Sequence, residues 1–88
     1  MLKISYSSYF DRKMKKLDSS LRPIVEERES MFRQDCFHPQ LETHKLNGKW
    51  KDHWAFSITK KYRIMFQFLG NNEVMFEDVD DHDVYRSR

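Results

Sequence analysis

The chain has few of the devices that staple, anchor or export small proteins. Cys36 is its only cysteine, which excludes an intrachain disulfide and fits a reducing cytosol. No apolar stretch approaches the roughly 20 residues of a membrane span, since Arg63 and Gln67 interrupt the most apolar segment. No basic region followed by an apolar run opens the sequence. A soluble, cytoplasmic protein without membrane contact is expected. Internal repeats and linkers are missing as well, so residues 1–88 are read as one domain.

At 88 residues such a chain buries only roughly 60% of its unfolded surface, and its core must be made of large groups. Seven Phe, four Tyr and two Trp supply them, so the core is expected to be aromatic. The formal charge of +2 does not by itself announce nucleic acid, but charge is segregated along the chain. Residues 44–64 carry Lys45, Lys49, Lys51, Lys60, Lys61 and Arg63 against one acid, Asp52. Residues 73–83 carry Glu73, Glu77, Asp78, Asp80, Asp81 and Asp83 and neither Lys nor Arg. The first stretch is a candidate anion-binding surface, bordered by an acidic edge.

Leu2, Ile4 and Tyr6 alternate with polar neighbours and predict a strand, after which Ser7 and Ser8 offer N-caps. Phe10, Met14, Leu17 and Leu21 then recur at helical spacing. Asp18, Ser19 and Ser20 break that helix, and Ser20 is positioned to cap a second one, with Pro23 in its first turn and Ile24, Val25, Met31 and Phe32 on its apolar side. Residues 37–50 lack clean periodicity and predict a loop of functional length. Trp54, Phe56 and Ile58 alternate as a strand, as do Tyr62, Ile64, Phe66 and Phe68. Gly70, Asn71 and Asn72 form a hairpin turn, and Val74 and Phe76 begin a last strand that the following aspartates end. The order predicts an α+β fold: an N-terminal strand, then a two-helix hairpin packed on one face of a twisted antiparallel sheet. Its other face, to which strand geometry sends Arg63, His53 and Ser57, is left for a ligand.

The run His44-Lys45-Leu46-Asn47-Gly48-Lys49-Trp50, the strand Tyr62-Arg63-Ile64-Met65-Phe66 and the ending His82-Asp83-Val84-Tyr85-Arg86 together resemble the RelE/ParE toxin superfamily over the whole chain. The resemblance implies a RelE-like fold and the toxin of a type II toxin-antitoxin system. It implies an endoribonuclease cutting mRNA, at the ribosome, through attack by the 2′-hydroxyl, with a cognate antitoxin as partner. The ParE branch implies an alternative, a gyrase inhibitor without nuclease activity, and an inactive antitoxin-binding module is a third. Arg63 matches the strand arginine that binds the scissile phosphate, and His44 the loop histidine of YafQ-like members. His82 matches their late histidine, with Asp83 and Tyr85 where other members place an acid or a base-stacking aromatic. Ser57 stands where YafQ-like members have a strand histidine.

The chemistry fits these residue types. Histidine titrates near neutrality and suits proton transfer, and the planar fork of Arg63 suits a phosphate gaining charge. Lys45, Lys49, Lys51, His53 and Lys61 are read as RNA-binding. The late acidic cluster lacks a calcium-loop spacing, so no metal or other cofactor is expected.

Overall fold

The structure is a computed structural model that describes residues 1–81. β1 (Lys3–Tyr6) leads into α1 (Ser8–Lys16) and, through a 3-10 turn at Ser19–Leu21, into α2 (Arg22–Gln34). Then come the short strand β2 (His44–Lys45), β3 (Trp54–Ser57), β4 (Tyr62–Gly70) and β5 (Glu73–Asp81). The five strands form one sheet in the order β1-β5-β4-β3-β2.

Each element follows from local chemistry. Ser7 caps α1 by accepting the Phe10 N–H at 3.0 Å, which satisfies one of the donors a helix start leaves over. The second cap differs from the expectation. Asp18, not Ser20, accepts a backbone N–H, that of Ser20 itself at 3.0 Å, and the resulting 3-10 turn runs straight into α2 with Pro23 in its first turn and no side-chain cap. Asn71 and Asn72 take positive φ at 52° and 61°, as a tight two-residue hairpin requires, and join β4 to β5.

Two expectations about the sheet are corrected. β1 pairs with β5 in parallel, Lys3 opposite Glu73 through Tyr6 opposite Phe76, so the sheet is mixed, because the helical hairpin carries the chain over one face before the meander returns. β5 does not end at the aspartates; it runs on to Asp81, paired with β4. There the backbone ladder outweighs the low strand propensity of Asp, and each carboxylate finds a partner outside its own strand, as described below. A bulge where Met65 and Phe66 pair with Asp78 and Phe76 sets Glu77 aside from the ladder.

Phe32, Phe56, Phe66 and Phe76 are fully buried, with Phe32 stacked on Phe56 at 4.6 Å and edge-on to Phe66 at 4.9 Å. Phe10, Val25, Leu41, Ile64, Val74 and Val79 complete this core between the helices and the sheet. Register fixes the other face. Residues directly paired across strands share a face, so His44, Ala55, Met65 and Asp78 form one row, and Ser57, Arg63 and Asp80 the next.

Candidate functional site

That second face is less open than the alternating pattern implied. Ala55, Ser57, Met65 and Asp78 on it are all buried. Arg63 sits among them, half-buried in β4. Its guanidinium turns toward β3 and donates through Nη1 to the Ser57 hydroxyl. Ser57 in turn donates to Glu42 Oε1 at 3.1 Å. Arg63 Nε is buried and has no partner among the described residues, so the donors of this guanidinium are not all spent.

Glu42 follows the 3-10 turn Pro39–Leu41 in left-handed conformation, φ 51°. That kink turns the chain from the buried Leu41 into β2 and places the Glu42 carboxylate on Ser57. Sequence reasoning missed Glu42. Its signal was slight, an acid two residues before the histidine; the left-handed φ that places it, which ordinarily favours Gly or Asn, is not written in the residue type.

His44 is exposed on β2, opposite Ala55. Its Nδ1 lies 2.9 Å from the Glu42 carbonyl oxygen, which can only accept. Nδ1 therefore carries a proton, and a ring protonated there alone has its lone pair on Nε2. His44 and Arg63 share a face, offset by two strands and one pleat repeat, about 12 Å between Cα atoms from standard sheet spacings. Two long side chains can close that span around one phosphodiester.

The other anticipated residues are placed differently. Lys45 pairs with Trp54, whose ring packs with Phe37 and Phe68 beside the helices, so the pleat sends Lys45 away from His44. Lys49 and Lys51 are exposed around the 3-10 turn Gly48–Trp50. His53 lies on the second face with its Nε2 3.1 Å from the Glu77 carboxylate and Trp50 edge-on at 5.7 Å, but two pleat repeats from Ser57. Lys61 lies 3.8 Å from Asp81. His82, Asp83 and Tyr85 lie outside the described residues.

The acidic edge is also accounted for. Glu77 faces His53, Asp78 and Asp80 face Lys13, and Asp81 faces Lys61. Burial works against the Lys13 ammonium, but the Asp80 hydrogen bond and the charges of Asp78 and Asp80 more than offset it, so its pKa lies above that of an ordinary lysine. Among the described residues no group of three or more His, Cys, Asp or Glu is arranged to hold a metal ion, and no helix is long and apolar enough to cross a membrane.

No protein-family model matches this chain, and no curated protein matches it by sequence. Solved structures do match. YafQ from E. coli superposes with a TM-score of 0.77 at 14% identity, over 96% of this chain and 97% of that one. A copper-bound mutant toxin from Helicobacter pylori gives 0.73 at 22% identity, over 96% and 98%. The YoeB–YefM toxin-antitoxin complex from Staphylococcus aureus gives 0.70 at 13% identity, over 93% and 98%. At these identities what is shared is architecture, and it is shared from end to end: the chain has the RelE-like α+β fold of the YafQ and YoeB toxins.

Proposed function

We propose that this protein is the toxin of a toxin-antitoxin pair and acts as an endoribonuclease on mRNA, with Arg63 as its phosphate-binding group. The observation that carries the reading is the hydrogen-bonded series Glu42–Ser57–Arg63, which holds a guanidinium with unspent donors on the sheet face that also carries the exposed His44. A toxin fold, seen elsewhere in complex with an antitoxin, supports it independently.

In the reaction the substrate's 2′-oxygen attacks the adjacent phosphorus and the bond to the 5′-oxygen breaks, leaving a 2′,3′-cyclic phosphate. His44 Nε2 accepts the proton of the 2′-hydroxyl. Arg63 neutralises the charge that accumulates on the non-bridging oxygens, where a preorganised donor is most effective. Ser57 and Glu42 hold the guanidinium in place, so that little reorganisation is needed as charge develops. The proton for the departing 5′-oxygen falls to His82 by the family resemblance. Lys49 and Lys51 supply sequence-independent attraction to flanking phosphates.

The test is to incubate the protein with a defined mRNA, with and without ribosomes, and to map the cut ends. Cleavage leaving cyclic phosphate is expected, reduced by about 10²–10³-fold in Arg63→Ala with the circular-dichroism spectrum unchanged. Toxicity in cells with DNA damage and no RNA cuts would replace this reading with a gyrase-directed one.

A further inference from the structure

A phosphate clamp works only if its guanidinium is not already neutralised, and the surroundings of Arg63 make that a real problem. Its direct cross-strand neighbour on β5 is Asp80. Asp78, opposite Met65, is one step further along the same face. Directly opposed side chains lie about 5 Å apart at Cβ, and opposite charges there attract. An arginine meeting an aspartate in that register closes a bidentate pair, which a phosphodiester would first have to break.

Among the described residues the ion pairs of Asp78 and Asp80 are made with Lys13 and not with Arg63. The Asp80 carboxylate takes the ammonium of Lys13, and Asp78 Oδ1 lies 3.4 Å from the same nitrogen. These side chains are well withdrawn from solvent, 24% exposed for Lys13, 28% for Asp80 and 6% for Asp78. The fold explains how one lysine reaches both. β1 pairs with β5 only as far as Phe76, so from Glu77 onward that edge of β5 has no β1 beside it. Ser7 ties the start of α1 to this point, its N–H donating to the Phe76 carbonyl at 3.0 Å and its hydroxyl to that of Glu77 at 3.2 Å. α1 then runs along the free edge and delivers Lys13 to it.

We infer that Lys13 is a positioning residue: it holds the Asp78 and Asp80 carboxylates toward α1, leaving the Arg63 guanidinium on the Ser57 side and available to a phosphodiester. The inference rests on the ribonuclease reading for what Arg63 binds. Glu42 does not undo the arrangement, because the Ser57 hydroxyl stands between the two charges.

A purely structural tie between α1 and β5 would use the same contacts, so the test must separate the two roles. Lys13→Met keeps the apolar stem and removes the charge; Lys13→Met with Asp80→Asn restores the net charge and removes the carboxylate directly opposite Arg63. Lys15→Met, on an exposed neighbour, controls for loss of a surface charge. Two quantities are measured: affinity for an RNA oligomer with 2′-deoxy sugar at the cut site, and the ¹⁵N NMR signal of the Arg63 Nε–H. Lys13→Met is expected to weaken binding about threefold to fivefold, the upper part of the range of a cross-strand charge pair, and to shift the Arg63 signal. The double variant restores both, and Lys15→Met moves neither by more than about twofold. Folded Lys13→Met with unchanged affinity and an unchanged signal overturns the inference, as does failure of Asp80→Asn to rescue. If the parent protein neither binds nor cuts RNA, the ribonuclease reading falls instead, and the Arg63 signal still reports whether Lys13 keeps the aspartates away.

Discussion

Tyr6 shows how much one residue's surroundings can decide. Its hydroxyl donates to Glu29 on α2, and Arg33 reaches the same carboxylate at 3.3 Å, so strand and helix are joined at the edge of the core. Burial, and after it the hydrogen bond and charge of Glu29, push the Tyr6 phenol up to about 12. Between the ordinary value of 10 and that raised one the unfolded chain has lost this proton while the folded protein keeps it. Stability from this group is therefore fully present below pH 10 and falls as pH rises toward 12. Urea unfolding midpoints followed from pH 9 to 12 should decline less steeply in Tyr6→Phe than in the parent; equal slopes would mean that the pair is not maintained in solution. At the same scale Glu42 marks the limit of sequence reading. Arg63 and His44 stand out by residue type and setting, whereas Glu42 gains its place from a left-handed kink and a serine 15 positions away, neither of which local pattern records.

Among the elements, α2 meets the sheet through one ring. Phe32 is fully buried and meets Phe56, Phe66 and Phe76, so it is in ring contact with β3, β4 and β5. Phe32→Ala should destabilise the protein by about 3–5 kcal/mol, a large part of what a domain of this size has. A loss below about 2 kcal/mol in urea titration would show that the core closes over the gap. Such an element is legible because its apolar residues keep helical spacing with nothing to interrupt it. β3 and the first half of β4 were legible by alternation. β2 was not, being two residues long inside a stretch marked by Pro39 and Gly48, and its pairing is set by β3. The second half of β5 was hidden for another reason: Glu77, Asp78, Asp80 and Asp81 read as solvated loop until Lys13, His53 and Lys61 are brought to them from elsewhere in the chain.

At the scale of the molecule, charge and topology divide the work. Lysine and arginine dominate residues 44–64 and acids dominate residues 73–81, and the meander lays the two stretches side by side through β4 and β5. The acids are largely spent on partners within the fold, while Lys45, Lys49 and Lys51 remain exposed and give the surface its positive bias. The parallel pairing of β1 with β5 was invisible to local pattern because its partners are 70 positions apart, as Lys3 and Glu73 are.

That pairing also bears on how the protein is made. β5 is flanked by β1 and β4, so the earliest strand to leave a ribosome waits for the latest before either is secured. Contacts of such long sequence separation form slowly and late. A nascent chain halted before residue 73 should stay sensitive to protease along its whole exposed length, and gain resistance only once residues 73–81 have emerged. Until then the β5 flank of Arg63, with Asp80 opposite it, is missing, and the surroundings of the guanidinium are completed only at the end of folding.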